Sequence, residues 1–302
     1  MTQPLPAAQA AALSIREENA DPVRSPWASA WAQLRVHRVA LIGGVLILLF
    51  SFVALTAPVI APYDPTEVNF QMALAKPSLS HFFGTDNFGR DVLSRVIFGA
   101  RTSLVIGVFS VLFGAVGGVL LGLVGGYFGG KIDTIIMRVV DVMLTFPRIL
   151  LAILLIAIIG AGMINIMLAV GIFSIPTYAR LVRSSVLVLK ETEFVEAARA
   201  LGNGHWRIIV RHILPGTIGP IVVQSTFLIA TSIRVAAGLS FLGIGVPPPT
   251  PEWGAMLADA RSYIGLAPHL IAIPGFTLMA VILSFNLLGD GLRDALDPRL
   301  RA

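Results

Sequence analysis

The sequence contains no cysteine and few charged residues. Of its 302 residues, 13% are charged and 56% are hydrophobic, and the mean hydropathy is +0.83. The lack of cysteine excludes disulfides, cysteine-ligated zinc, iron–sulfur clusters and thiol catalysis. Because a soluble domain carries about 25% charged residues, so small a share indicates a membrane protein with several spans rather than a soluble enzyme.

Sequence patterns that support enzymatic chemistry are missing or incomplete. The 5 histidines show no metalloprotease spacing, and Gly238–Leu242 fails the nucleophile-elbow pattern at its last position. Gly125–Lys131 matches the start of a phosphate-binding loop, but Ile132 stands where the magnesium-binding Ser or Thr is needed. An apolar membrane segment, not a strand, precedes that motif. The sequence therefore predicts that this chain is not an enzyme and hydrolyses no ATP itself.

Long uncharged segments predict an all-α membrane protein with six transmembrane helices. A spanning helix needs about 20 apolar residues. The predicted spans cover roughly 39–61, 102–130, 133–159, 163–182, 216–244 and 269–289. The third helix is expected to start early, near Asp133, so that its inner turns carry Arg138, Asp141 and Arg148. Arg138 and Asp141 are three residues apart and are expected to face each other.

The distribution of positive charge predicts the orientation of these helices. With the N-terminus inside, 16 of the 22 Lys and Arg residues fall in inner segments and 5 in outer ones, as the positive-inside rule requires. Both termini are therefore predicted to be cytoplasmic. The expected parts are a cytoplasmic tail (1–38), a first helix (39–61), a periplasmic segment (62–101), a five-helix core (102–289) and a second cytoplasmic tail (290–302).

The second span carries glycine at every fourth position. These residues are Gly114, Gly118, Gly122, Gly126 and Gly130. Small residues at this spacing let helix backbones approach closely in lipid. The stripe predicts tight packing within the chain, with an interface to another subunit as the alternative.

The cytoplasmic loop 183–215 is the most informative polar segment. A short helix is predicted from Glu191 to Leu201, followed by Gly202 where a left-handed C-cap is expected. A second short helix is predicted over His205–Leu214, closed by Pro215. The apolar side of the first helix consists of Phe194, Val195, Ala197, Ala198 and Leu201. Such a helix pair suits docking into a groove of a partner protein, with a membrane-surface helix as the alternative.

Several motifs resemble those of the C-type permeases of ABC importers for dipeptides, oligopeptides and nickel. In the loop, the matching residues are Glu196-Ala197-Ala198, Gly202 and Leu214-Pro215, which resemble the EAA motif; His212 replaces its isoleucine. The segments that extend the resemblance over nearly the whole chain are Phe83–Arg95, Leu239–Gly243, Pro248–Gly254 and Phe285–Asp294. Shorter strings that lean towards glutathione importer permeases are Ile172–Pro176, His212–Thr217 and Ala267–His269.

The resemblance implies a type I ABC importer permease fold with a cytoplasmic coupling-helix loop, located in the bacterial inner membrane. The chain would be one of two permease subunits that form the path for short peptides: dipeptides, oligopeptides or glutathione. Two ATPase subunits would hold ATP and magnesium, and a periplasmic or extracellular binding protein would deliver the peptide. No metal, cofactor or nucleic acid is expected on this chain. The implied ATPase-coupling residues are Glu196, Ala197, Ala198, Gly202, Leu214 and Pro215.

The segments between the spans on the outer side carry spaced charges and prolines. Two i,i+4 pairs predict salt bridges if the first segment is helical: Asp86 with Arg90, and Asp91 with Arg95. The expectation is an interfacial helix, with contact to the binding protein as the alternative. In the proline-rich segment 246–268, Trp253 is expected to anchor the chain at the membrane interface.

Arg234 interrupts the fifth predicted span near its middle. About ten residues separate it from the outer end of that span, or about 15 Å at 1.5 Å per residue. An arginine that faces lipid at that depth costs at least about 2.5 kcal/mol. We therefore expect Arg234 to face the translocation path, with a misjudged span end and an interfacial Arg234 as the alternative.

Two other classes of membrane protein compete with an ABC importer. An ion- or proton-coupled secondary transporter is the alternative function, and it would be indicated by internal repeats and by acidic residues at the middle of the bilayer. The sequence has neither. An intramembrane enzyme needs a nucleophile with its base, or a set of metal ligands, near the middle of the bilayer. The histidines and acidic residues of this sequence do not supply one.

Overall fold

The fold is described by a computed structural model that covers residue 35 and residues 37–296. The predicted tail 1–38 thus lies almost entirely outside the described residues, as does the end of the second predicted tail. Within the described residues the elements are helices, and Thr85 and Asp91 form one isolated antiparallel bridge. The prediction of an all-α membrane protein is confirmed.

The described helices follow one another with short connections, except in the segments 61–91 and 242–268. In chain order they are α1 (Arg38–Ile60), α2 (Val92–Phe128), α3 (Gly130–Thr145), α4 (Arg148–Ile159), α5 (Met163–Ile172), α6 (Ser174–Leu189), α7 (Glu193–Ala200), α8 (His205–Ile208), α9 (Leu214–Phe241), α10 (Trp253–Ala260) and α11 (His269–Leu296).

Five helical stretches of the described range are long and apolar enough to cross a membrane. They are α1, α2, α5 with α6, α8 with α9, and α11. A sixth crossing exists if the bent pair of α3 and α4 counts as one span. Several bounds differ from the predicted ones: α2 already begins at Val92, α6 continues to Leu189, the fifth crossing begins at His205 and α11 continues to Leu296.

The third predicted span is not one straight helix. α3 and α4 meet at an angle of 93°. Pro147 cannot donate a helix hydrogen bond and disfavours the helical conformation at the residue before it; accordingly Phe146 is extended, with φ −86° and ψ 135°. Arg148 therefore stands at the bend, not among the inner turns of a continuous helix as the sequence predicted.

The acidic residues of α3 pair with α6. Asp141 Oδ1 lies 2.6 Å from Arg180 Nη2, and the two carboxylate oxygens of Asp133 each lie 2.5 Å from a nitrogen of Arg183. The predicted pair of Arg138 with Asp141 is therefore wrong. The sequence could not show that a second helix with two arginines runs beside α3.

The glycine stripe of α2 packs against α6. A Cβ on Gly122 would lie 2.7 Å from the carbonyl oxygen of Ala179 and 2.8 Å from Val182 Cβ, so no larger residue fits without a shift. The same contact with α6 is made by Gly114, Gly118 and Gly126. The prediction of tight packing within the chain is confirmed for these four positions, whereas Gly130 belongs to α3.

At one end of the bundle the segments 61–91 and 242–268 form a cap over the helix ends. A buried ion cluster lies in this cap: Asp86 Oδ2 is 2.6 Å from Arg90 Nε and 3.4 Å from Arg95 Nε, and Arg90 Nη2 is 3.3 Å from Asp259. The predicted pair Asp86–Arg90 is confirmed, although its residues lie in a turn and not in a helix.

The second predicted pair in the cap, Asp91 with Arg95, is wrong. Asp91 is the N-cap of α2, where its carboxylate accepts from the backbone N–H of Ser94 at 2.8 Å. It also lies 2.9 Å from His81 Nδ1. Since the Asp91 side chain folds back on its own helix end, Arg95 turns to Asp86 and to the carbonyl oxygen of Pro65.

Trp253 is buried in the cap and does not lie at a membrane interface as predicted. Its side chain is 0% exposed, and its Nε1 donates to the carbonyl oxygen of Val96 at 3.1 Å. The indole covers Gly99 of α2, where a Cβ would lie 2.8 Å from the ring. Because Gly99 has no side chain, the Trp253 ring can pack directly against the backbone of α2.

Candidate functional site

The polar loop predicted at 183–215 forms a compact element at the other end of the bundle, here called the helical loop (residues 190–213). α7 ends in a left-handed turn at Gly202, whose φ is +76°. The N–H groups of Gly202 and Asn203 donate to the carbonyl oxygens of Arg199 and Ala198 at 3.0 and 3.2 Å. This is the hydrogen-bond pattern of a Schellman motif, so the predicted C-cap at Gly202 is confirmed.

The two faces of α7 have opposite surroundings. Val195 and Ala198 are buried, with 0% and 5% exposed, whereas Phe194 and Leu201 are 50% and 83% exposed. Trp206 of α8 adds a further apolar side chain that is 65% exposed. The inward face packs in a cluster with Leu123, Val182, Val186, Ile208, Ile209 and Ile213. The apolar side predicted for this helix is therefore divided between a packed face and a bare one.

Polar contacts tie the helical loop and α3 to the long helices. The Tyr127 hydroxyl, at the end of α2, lies 2.9 Å from His205 Nδ1. Beside it, the Asp133–Arg183 pair joins α3 to α6 through two parallel hydrogen bonds. Bidentate pairs of this kind fix orientation as well as adding energy. These contacts fix the helical loop to α2 and fix α3 to α6.

A π-helical turn joins the helical loop to α9 without a break. Ile209–Ile213 form this turn, and Pro215 is the second residue of α9. The prediction that Pro215 closes the preceding helix is therefore wrong. Within this π turn, Ile213 lies in the buried cluster and His212 is half-buried.

The residues predicted to couple to an ATPase occupy two kinds of environment. Exposed at the surface are Glu196, Ala197, Gly202 and Pro215. Buried or half-buried are Ala198 and Leu214. The structure brings Glu196, Ala197, Ala198 and Gly202 together on α7 and its C-cap, whereas Leu214 and Pro215 lie at the start of α9.

The residues that resemble a phosphate-binding loop form a helix connection. Gly125–Lys131 spans the end of α2 and the start of α3. A Cβ on Gly126 would lie 2.9 Å from Val186 Cβ, and Gly129 and Gly130 turn the chain with φ of +64° and +54°. A 37-residue helix, not a strand, precedes the motif. The glycines thus serve helix packing and a turn.

A second candidate site is a groove of about 530 Å³ beside α9. Its lining residues are Pro147, Arg148, Ile149, Thr231, Arg234, Val235, Gly238, Leu239 and Leu242. Arg234 is exposed in it and lies eight residues before the C-cap Leu242, or about 12 Å along the helix. Within residues 37–296, no acidic side chain lies within ion-pair distance of Arg234.

Arg148 shares this groove and is the residue that the sequence analysis missed. The 93° bend between α3 and α4 moves it away from the inner turns where it was expected and brings it beside α9. The available signal was Phe146-Pro147, because a residue before proline within an apolar run predicts a helix boundary. The sequence contains that signal but not the direction of the bend.

Two segments of the chain match known protein families. Residues 118–302 match the family described as binding-protein-dependent transport system inner membrane component. Residues 25–77 match the N-terminal TM domain of oligopeptide transport permease C. The first match alone covers more than half of the chain.

Curated relatives extend this similarity over almost the whole chain. It is 50% identical over 282 residues to the glutathione transport system permease protein GsiD of Escherichia coli O6:K15:H31 (strain 536 / UPEC), covering 93% of each chain. The protein of the same name from Shigella boydii serotype 4 (strain Sb227) has the same identity and coverage.

Solved structures share the fold. An inward-facing structure of the MetNI methionine ABC transporter (CY5 SeMet soak crystal form) matches with a TM-score of 0.56 and 21% identity, covering 67% of this chain and 96% of that one. The CY5 native crystal form matches with a TM-score of 0.56 and 20% identity, covering 68% and 97%. The predicted type I importer permease fold is thereby confirmed.

Proposed function

This chain belongs to the family of binding-protein-dependent transport system inner membrane components and is a permease subunit of an ABC importer, and from that premise we propose that its cargo is a short peptide such as glutathione. The identity of 50% to permeases named for glutathione transport supports this cargo. The alternative cargo is a dipeptide or a longer oligopeptide, because the N-terminal segment matches an oligopeptide permease domain.

The proposed assembly contains this chain, a second homologous permease, two ATPase subunits and a binding protein that delivers the peptide. ATP and magnesium are held by the ATPase subunits. This chain has no catalytic residue in the proposal, and its part is to form one half of the transmembrane path and to receive the movement of the ATPases.

The observation that carries this proposal is the bare apolar face of the helical loop. Phe194, Leu201 and Trp206 are exposed on an element whose opposite face is packed and hydrogen-bonded. An amphipathic helix of this kind docks into a groove of a partner. Glu196, Ala197 and Gly202 line the same surface in the proposal, where small residues allow close approach of the ATPase.

A firm docking element is needed because the ATPases must supply a large bias. To move a gate from 1:99 to 99:1 takes about 5.5 kcal/mol of differential interaction. The Schellman turn at Gly202 and the buried residues Val195 and Ala198 hold the helical loop in one conformation. A movement of the helical loop would therefore be transmitted to α2 and α6, against which it packs.

The proposed orientation places the helical loop and both termini in the cytoplasm and the cap in the periplasm of the inner membrane. The excess of Lys and Arg in the segments on the side of the helical loop supports it. The groove that contains Arg234 then opens on the translocation path, since an arginine facing lipid at that depth is costly.

The test is uptake by the assembled transporter in proteoliposomes. We expect labelled glutathione to enter only when ATP is present on the ATPase side, and ionophores that collapse ion and proton gradients to leave the rate unchanged. Omission of this chain should abolish uptake. Uptake that needs no ATP and stops with the ionophores would contradict the proposal and favour the alternative, a secondary transporter.

A further inference from the structure

The bend of the third crossing places two arginines in one groove. Arg148 is the first residue of α4, and Arg234 lies on α9; both line the groove of about 530 Å³. Arg148 also borders a smaller cavity that contains Ser174 and Ser232. Two chain segments that are 86 positions apart in sequence thus bring two guanidinium groups to the same surface.

Both arginines lie well away from one end of their helices. Arg148 is the full length of α4, or about 18 Å, from the end of that helix at Ile159, and Arg234 is about 12 Å from the end of α9. The apolar core of a bilayer is about 30 Å thick. A lipid phosphate beyond those two helix ends is therefore a poor partner for either side chain.

The described residues do not balance the charges in this groove. Across the part of the chain that the structure describes, neither Arg148 nor Arg234 has an acidic group within ion-pair distance, although Asp133, Asp141 and Asp86 are all paired with other arginines. Both side chains are exposed in the groove, and two like charges that line one groove repel each other. An anion between them relieves this repulsion.

The lining of the groove fits a small organic anion. Ligand sites of about 300–1,000 Å³ are mostly apolar and carry a few polar groups that fix orientation. Here Ile149, Val235 and Leu239 supply apolar surface, and the two arginines supply donors. The Thr231 hydroxyl donates to the carbonyl oxygen of Phe227 at 2.9 Å. A guanidinium group binds a carboxylate through two parallel hydrogen bonds.

We propose that Arg148 and Arg234 form a carboxylate-binding site on the translocation path, which holds the C-terminal carboxylate of a passing peptide at the bend of the third crossing. The site gives the permease its own selection for peptides with a free C-terminal carboxylate, in addition to that of the binding protein. This inference rests on the proposed function, because it requires that the groove lies on the path.

The experiment compares uptake of glutathione with uptake of its glycine amide by the assembled transporter. The variants are Arg148→Gln, Arg234→Gln and the double variant. Because the binding protein is the same in every sample, its own preference cancels when variant and wild type are compared. We expect each single variant to lower the ratio of acid to amide uptake about tenfold, as for a lost hydrogen-bonded charge, while amide uptake stays within about twofold.

Two further variants complete the comparison. Arg138→Gln removes the same charge from an exposed position on α3 outside the groove and should leave the ratio unchanged. Arg234→Lys keeps the charge without the planar fork and should recover part of the ratio. ATP hydrolysis by each assembled variant is measured in parallel, and it should match that of the wild type.

The outcomes separate this inference from the proposed function. ATP-driven uptake of both peptides with an unchanged ratio in all variants would overturn the carboxylate site alone. Loss of assembly together with equal loss of acid and amide uptake would mean that the arginines pair with an acid of the second permease, which also contradicts it. Absence of ATP-driven uptake by the wild type would contradict the proposed function and the site with it.

Discussion

The two ends of the helix bundle differ in which side chains they bury and which they expose. At the cap end, charged residues are buried: Asp86, Arg90 and Arg95 have 8%, 4% and 3% of their surface exposed and satisfy one another. At the end with the helical loop, large apolar residues such as Leu201 and Trp206 are left bare. The first arrangement closes a surface within the chain, and the second keeps a surface open.

This difference separates residues that hold the chain together from residues that contact another protein in the proposed assembly. A buried charge that loses its partner destabilises the fold strongly, whereas an exposed apolar side chain contributes little to it. Substitutions in the cap should therefore change stability first. Substitutions in the helical loop should change transport while the fold remains.

The largest expected effect is that of Asp86→Ala in the cap. The change leaves the buried guanidinium groups of Arg90 and Arg95 without their shared carboxylate, and removal of one partner of a buried pair costs about 3–5 kcal/mol. The melting temperature of the purified protein should fall by several degrees or more. Asp64→Ala is the control, since Asp64 is exposed and bonds only to nearby Thr66 and Glu67; equal shifts for both variants would contradict the burial argument.

An intermediate effect is expected from Gly202→Val in the helical loop. A non-glycine residue in the left-handed region costs about 1–2 kcal/mol, so the docking conformation should be depleted about tenfold. ATP-driven uptake should fall by a similar factor, with little change in melting temperature. Gly204→Val is the matched control: both glycines have open space around them, but φ at Gly204 is −66°. If the two variants behave alike, the turn is not required for coupling.

The smallest expected effect is a pH dependence from Glu252 in the cap. Burial raises the pKa of this carboxyl above its usual 4.5, partly offset by the N–H groups of Gly254 and Ala255. The folded state therefore holds the proton more tightly than the unfolded chain, and stability should decline as the pH rises from about 4.5 through the raised pKa.

Glu252→Gln should flatten that decline, because the amide has no proton to lose. Melting temperatures measured between about pH 4 and pH 8 give the slope. Glu67→Gln, an exposed change in the same cap, should keep the slope of the wild type. A slope that is the same in Glu252→Gln as in the wild type would assign the pH dependence to another group.

The sequence predicted the elements whose signals are local. The apolar segments, the glycine spacing of α2 and the C-cap at Gly202 each depend on residues close together in the chain. The EAA motif placed the helical loop correctly for the same reason. The sequence could not show which apolar residues of α7 are buried and which are exposed. Val195 is buried because it packs against residues of α2 and α6, which are distant in sequence.

Features that depend on distant segments were predicted wrongly. Trp253 was expected at a membrane interface, yet Gly99, more than 150 positions earlier, provides the space that buries it. Arg95 was expected to pair within its own helix turn, but Asp86 lies closer once the cap folds back. The bend at Phe146-Pro147 had a local signal, whereas its angle depends on how α3 packs against α6.

The close packing of α2 against α6 has a mechanical consequence for the molecule. α2 is 37 residues long, or about 55 Å, and runs from the cap at Asp91 to the tyrosine that touches the helical loop. Val182 sits so close to the backbone of Gly122 that sliding one helix along the other would force the side chain into the neighbouring turn. In the proposed assembly, α2 and α6 would therefore move as one body, and a movement of the helical loop would be transmitted along α2 to the cap.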